Sequence, residues 1–296
     1  MINVSDTTGT AVSLPVGKGV GEGLYSPIGI FDSGYGGLTI LEGIRRQLPQ
    51  YDYLYLGDNA RAPYGPRSFD VVYEFTRQAV VKLFSLGCHL VILACNTASA
   101  KALRTIQQCD LPQLDPQRRV LGIIRPTAEV IGTLTSTRHV GVLATEGTIR
   151  SDSYRLEIQK LHPDIVVTGV ACPLWAAIVE AGEACSPGAD YFVSKRIGQL
   201  MESDPMIDTI ILGCTHYPLL MPKIRKHLPK GVSVVAQGDY VASSLADYLN
   251  RRTAIASQCS KGGTVRYLTT ENPQRFQETA QLFLNQPVEA MHIMFT

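Results

Sequence analysis

The sequence predicts an α/β protein made of two similar parallel-sheet halves that face each other across a cleft. Three observations carry this expectation. Short, continuous apolar runs recur along the chain, as in the doubly covered strands of a parallel sheet. Segments with apolar residues at helical spacing lie between them, an alternation expected of βαβ units. The pattern also occurs twice. "IGIFDSGYGGLTI" at 28–40 is echoed by "VGVLATEGTIRS" at 140–151, each a strand, a polar loop and a helix start. Each is followed, at a similar distance, by a strand that runs into a cysteine: Cys95 in "LVILACNTASA" and Cys214 in "TIILGCTHYPLL". A site between such halves receives one cysteine from each side.

In chain order, the Gly-, Ser- and Thr-rich stretch "VSDTTGTAVSLPVGKGVGEG" reads as an extension ahead of the core. Its "GKGVGEG" fits neither the dinucleotide nor the P-loop spacing, and it precedes the first strand instead of following one. Strands are expected at 28–31, 53–56, 90–94, 120–124, 140–144, 165–170, 209–213, 232–236, 265–268 and 291–295. Amphipathic helices separate them; Phe69, Val72, Phe75, Ala79, Val80 and Leu83, for example, share one helical face. In such folds ligands bind at the carboxyl ends of the strands.

Composition narrows the function. With 45% hydrophobic and 18% charged residues and a net charge of +1, the chain has the balance of a soluble globular protein. It has no basic field to hold a nucleic acid or an anionic membrane. Residues 1–25 lack a signal-peptide pattern and no apolar run is long enough to span a bilayer, so a cytoplasmic location is expected. Seven cysteines, an odd number without a CxxC pair, suggest a reducing compartment rather than a disulfide framework. No zinc-ligand spacing occurs, and no metal is expected.

Five of the cysteines, Cys88, Cys109, Cys172, Cys185 and Cys259, read as small packing residues. Cys95 and Cys214 differ, because each meets polar residues at a strand end. A thiol at a helix start lies near free N–H groups and a dipole that lowers its pKa, which makes it a nucleophile or a base. His216 lies two residues past Cys214 and can relay a proton. Asp32 and Ser33 end the first strand in a glycine-rich loop suited to an anion. Asp32 can take a thiol proton, hold an ammonium group, or cap the helix expected near Leu38. Tyr64 and Gly65 in "GDNARAPYGPRS" can supply a hydroxyl and a bare N–H to a ligand, or form an ordinary Pro/Gly loop. Two thiols on opposite sides of one pocket suit a two-base proton transfer that inverts a carbon acid.

Together, "GIFDSGYGGLTIL", "LGDNARAPYG", "LACNTASA", "ACPLWAAIVEAGE" and "LGCTHYPLL" resemble bacterial glutamate racemases of the cofactor-independent aspartate/glutamate racemase superfamily, from about residue 27 to the C-terminal helix. The resemblance implies interconversion of L- and D-glutamate for peptidoglycan synthesis, without a cofactor. It implies two α/β domains related by a pseudo-twofold axis, residues 26–121 with 236–296 and residues 122–235, after an extension at 1–25. It makes Cys95 and Cys214 the acid/bases, the first acting on the D- and the second on the L-enantiomer. Asp32 then assists Cys95, and Glu180 and His216 serve Cys214. Ser33, Tyr64, Gly65, Asn96, Thr97 and Thr215 hold the substrate's carboxylates and ammonium, and Thr145 and Thr148 lie near its side-chain carboxylate. Glu180 rests on the motif alone.

The chain departs from the family pattern at "IIRPTAEV" (123–130), where a Pro-Gly turn is usual, and at Tyr240, where a Ser is common. Some relatives with an N-terminal extension are activated by a cell-wall precursor, and the same partner is expected here. The family includes monomers and dimers of more than one geometry, which keeps a homodimer in view. Aspartate racemase and hydantoin or maleate isomerases share the two-cysteine plan and are the competing activities. A hydrolase with a single cysteine nucleophile and a non-catalytic binding module belong to other classes; some racemases double as inhibitors of other enzymes.

Overall fold

The computed structural model describes residues 3–5, 11–13 and 25–295. Strands β1 (Asn3–Ser5) and β2 (Ala11–Ser13) precede ten strands of the body: β3 (Ile28–Asp32), β4 (Tyr53–Gly57), β5 (Leu90–Leu93), β6 (Arg119–Gly122), β7 (His139–Ala144), β8 (Val166–Ala171), β9 (Thr209–Gly213), β10 (Ser233–Val235), β11 (Val265–Thr269) and β12 (Ala290–His292). Each of the ten coincides with an expected strand to within a few residues. The expected strand 291–295 closes after His292, and the one at 120–124 ends at Gly122, where a helix takes over.

They form two sheets, ordered β2-β1-β12-β11-β4-β3-β5-β6 and β10-β9-β7-β8. The ten body strands pair only in parallel. The hairpin β1–β2 adds antiparallel at the β12 edge, Ser5 opposite His292. Six residues of the extension therefore join the sheet edge, while "GKGVGEG" lies outside the described residues. Within β4-β3-β5-β6 and within β8-β7-β9-β10, the order is the same: second, first, third, fourth. The repeated sequence is a repeated topology.

The central strands β3, β4, β5 and β9 are buried at every position, because helices cover both faces. β8 is an edge strand, and most of its residues are partly or fully exposed. The chain passes to the second sheet after β6, by way of Ile123 into helix α4 (Ile124–Leu134), and returns after β10 by way of Gln237. Five other helices matter below: α1 (Gly37–Gln47), α2 (Phe69–Ser85), α3 (Asn96–Lys101), α5 (Glu146–Arg150) and α6 (Ser153–Leu161). So do α7 (Trp175–Glu180), α8 (Gly238–Arg251) and α9 (Pro273–Leu284).

The returning helix α8 packs along α1, and glycine permits the close approach. A Cβ on Gly43 would stand 2.8 Å from the Gly238 carbonyl oxygen. Backbone on both sides leaves no flexible side chain to yield. Gly43→Ala is expected to lose about 1–3 kcal/mol of folding stability through this overlap, measured by urea denaturation; an unchanged midpoint would show that the two helices can separate freely.

Candidate active site

β3 and β5 are hydrogen-bonded neighbours but not consecutive strands, and so are β7 and β9. At such a switch point the adjoining connections diverge and leave a crevice beyond the strand ends. Asp32 ends β3, and Cys95 lies two residues past β5; Thr145 follows β7 directly, as Cys214 follows β9. The duplicated sheets thus each deliver one cysteine and one polar partner to equivalent crevices.

Cys95 caps α3, where its Sγ accepts the Ala98 N–H at 3.5 Å and donates to Ser33 Oγ at 3.4 Å. Asp32 is 1% exposed and accepts the Gly34 N–H at 3.0 Å. A Cβ on Gly37 would stand 2.6 Å from Asp32 Cβ, so the helix can start this close to the carboxylate only with glycine there. Burial raises the Asp32 carboxyl above its usual range, opposed by nearby His216 and by the N–H groups of Gly37 and Gly34. Burial likewise pushes the Cys95 thiol up to about 12, and the Asp32 charge adds to it. This reverses the expectation that the helix start lowers the pKa of this thiol: a six-residue helix does not offset full desolvation beside a carboxylate.

The second thiol has a different environment. Cys214 Sγ stands 3.7 Å from His216 Nδ1, and His216 Nε2 stands 2.7 Å from Glu180 Oε1. The last residue of α7, Glu180 reaches toward the first half, where a Cβ on Gly34 would be 3.4 Å from its Oε1. The Phe283 ring of α9 meets the imidazole edge-on at 5.5 Å, and a Cβ on Gly36 would lie 2.5 Å from His216 Nδ1. Burial by itself pulls the His216 pKa down, but Cys214 and the Glu180 carboxylate outweigh it and hold the imidazole at about 10.

Three hydroxyls close the seam between the halves. Thr97 Oγ1 lies 3.0 Å from Thr145 Oγ1 and 3.5 Å from Thr148 Oγ1, and the latter two are 3.0 Å apart. Thr145 also caps α5 by accepting the Thr148 N–H. Gly65 sits against this cluster, its carbonyl accepting the Gly147 N–H at 3.0 Å. Thr215 is buried, and its carbonyl accepts Thr39 Oγ1 at 3.1 Å.

Two expected site side chains are committed elsewhere. The Tyr64 hydroxyl, offered to a ligand on sequence grounds, donates to buried Asp58 Oδ2 at 2.5 Å, and the ring packs between Phe31 and Phe75. Asn96 bonds Gln237 and Tyr154. Sequence patterning does not single out Asp58, Gln237 or Tyr154; an aspartate directly past a strand end is the one available signal. Among the packing cysteines, Cys88, Cys172 and Cys259 are buried, but Cys109 and Cys185 are exposed. Those two lie in a surface π-turn and a surface loop, off every apolar face. Among the described residues, no group of three or more His, Cys, Asp or Glu could hold a metal ion.

Residues 34–245 match the Asp/Glu/Hydantoin racemase family. The chain is 38% identical over 271 residues to the glutamate racemase of Ruegeria sp. (strain TM1040), covering 88% of this chain and 97% of that one. A glutamate racemase isoform from Bacillus anthracis superposes with a TM-score of 0.83 at 33% identity, over 91% and 97% of the two chains. The Escherichia coli glutamate racemase, in complex with L-glutamate and the activator UDP-MurNAc-Ala, superposes with a TM-score of 0.70 at 25% identity, over 90% and 97%.

The ion pair with Glu180 is expected to keep His216 charged. Glu180→Gln should lower the His216 pKa by about one unit or more, read from the pH titration of its imidazole resonances by NMR. An unmoved titration would mean that the carboxylate does not support the charge.

Proposed function

The chain belongs to the Asp/Glu/hydantoin racemase family, and from that premise we propose that it interconverts L- and D-glutamate by two-thiol proton transfer without a cofactor. The observation that carries this reading is the pair of strand-end cysteines, one from each half, each with its own acid/base partner. For L-glutamate, Cys214 takes the α-proton while Cys95, still protonated because burial holds its pKa near 12, delivers its proton to the opposite face. The C–H bond broken on one face is replaced by a C–H bond on the other, and the carbon inverts. In the reverse direction Asp32 receives the Cys95 proton before that thiol acts as base. His216, charged between Cys214 and Glu180, manages the proton of the second thiol.

The carbanion-like charge that develops must be met by fixed donors in a water-poor site. The helix starts after Cys95 and Thr145 and the loop at Tyr64–Gly65 supply backbone N–H groups for this. The Thr97–Thr145–Thr148 hydroxyls suit the side-chain carboxylate. Residues 26–121 with 236–296 act as one domain and 122–235 as the other, joined by the crossings at Ile123 and Gln237. D-Glutamate formed in this way supplies peptidoglycan assembly, which places the enzyme in the cytoplasm. Among the described residues no helix is long and apolar enough to cross a membrane.

Activation by a cell-wall precursor extends the proposal. It is supported by the extension at 1–25 and by the activator bound to the E. coli relative. A cavity of about 660 Å³, lined by neither thiol, carries Arg104, Arg125, Lys160 and Arg251 against Glu129 and Glu157, a small cationic excess that a phosphate-bearing ligand could use by displacing the ion pairs there.

Incubation with L-glutamate in deuterated water, without cofactor, should give loss of optical rotation and α-deuterium in the product; the absence of both would sink the reading, and aspartate in parallel tests substrate choice. Cys95→Ser and Cys214→Ser should each slow racemisation about 100- to 10,000-fold. Full racemase activity in either variant would make the two-thiol mechanism wrong. Removing residues 1–25 should abolish any rate increase by the precursor, and identical kinetics with and without it in both forms would end the activation proposal.

A further inference from the structure

The chain crosses between the sheets twice, at Ile123 and at Gln237, and a buried polar chain joins both crossings to the two thiol loops. Gln237 Nε2 donates to the Ile123 carbonyl at 2.9 Å and to Thr127 Oγ1 at 3.1 Å, on the first turn of α4. Gln237 Oε1 accepts Asn96 Nδ2 at 2.8 Å, and Asn96 Oδ1 accepts the Tyr154 hydroxyl at 2.6 Å. Asn96 is the residue after Cys95. The Tyr154 ring lies on Gly213, the residue before Cys214, where an added Cβ would stand 3.0 Å from Tyr154 Cε2. Gln237, Asn96, Tyr154 and Thr127 are all buried.

One backbone group sets the direction of the whole chain. The Ile123 carbonyl can only accept, so the Gln237 amide must turn its nitrogen to it and its oxygen to Asn96. Asn96 must then face Gln237 with its nitrogen, which leaves its oxygen for Tyr154, and Tyr154 must donate. A flip at any member would set two acceptors or two donors against each other in a buried place, which is costly.

We propose that Gln237, Asn96 and Tyr154 form a positioning strut that fixes the separation of Cys95 and Cys214 across the two crossings. It rests on the two-thiol reading above. None of the three needs to touch substrate through its side chain; they hold the loops that do. A misplacement of about 1 Å between reacting groups can cost on the order of a hundredfold in rate, so a strut of four hydrogen bonds has a kinetic readout distinct from that of a substrate contact.

Racemisation is followed by circular dichroism for Tyr154→Phe, Gln237→Leu, the isosteric Gln237→Glu and the Tyr154→Phe/Gln237→Leu double variant. Each single change should lower kcat about tenfold with KM within about twofold, and the double should lose no more than either single, because one broken link already frees the strut. Amide hydrogen exchange at 120–127 and 236–241 should quicken in Gln237→Leu and Gln237→Glu while the rest of the protein keeps its protection. Multiplicative losses in the double variant, a rise in KM alone, or unchanged exchange would overturn the strut. An inactive parent chain would defeat the racemase reading instead, and the exchange experiment would still judge the strut.

Discussion

Desolvation at the seam between the two sheets governs the protons of Asp32 and Cys95, and the groups across from them are arranged against it. Asp32 and Cys95 are buried side by side, and two negative charges in that space would have no water to screen them. Burial raises both pKa values above their ordinary ranges, and the Asp32 charge adds to the rise at Cys95. Across the seam His216 is equally buried, yet it stays charged because Glu180 and Cys214 bracket it. The rest of the architecture serves this balance. The strands bring the groups to their places, the glycines let backbone and rings close around them, and the covering helices keep solvent out.

The scaffold is a near-repeat, but its electrostatics are not. Both halves run second, first, third, fourth, and both end the first and third strands at the crevice. Aligned on the repeat, Ser33 matches Thr145 and Cys95 matches Cys214, but Asp32 falls opposite Ala144, so the first half's carboxyl has no counterpart in the second. The first half sets a carboxyl beside its thiol; the second sets an imidazole backed by a carboxylate. A symmetric frame with unlike partners leaves one thiol holding its proton while the other sits beside a charged imidazole. Proton transfer through a carbon between them would need that complementary loading.

Close approach recurs around the crevice. Gly36 leaves room for His216, Gly37 for Asp32, and Gly65 for Thr145. Each lies in a loop or first helical turn at the carboxyl end of a strand, and each faces a polar side chain of the crevice. A methyl group at any of these places would push apart the groups that the fold brings together. The buried amides of Asn96 and Gln237 occupy the same seam and bind its two chain crossings to each other.

Much of this was legible in the amino-acid order. The ten body strands follow from continuous apolar runs, and the duplication from the echo of 28–40 in 140–151. Cys95 and Cys214 stand out because polar residues follow an apolar strand abruptly. Glu180 was legible only through a motif, since a glutamate ending a short helix looks like any other. Asn96 and Gln237 are 141 residues apart and Tyr154 and Asn96 are 58 apart, so no local pattern could pair them. The side-chain commitment of Tyr64 and the raised pKa of Cys95 also depend on what packs against them from distant segments. Apolar periodicity is a property of neighbours in sequence, and by itself it determined the strands, their repetition and the places of the thiols. Desolvation and hydrogen-bond partnership are properties of neighbours in space, and only the tertiary structure decided which groups keep their protons.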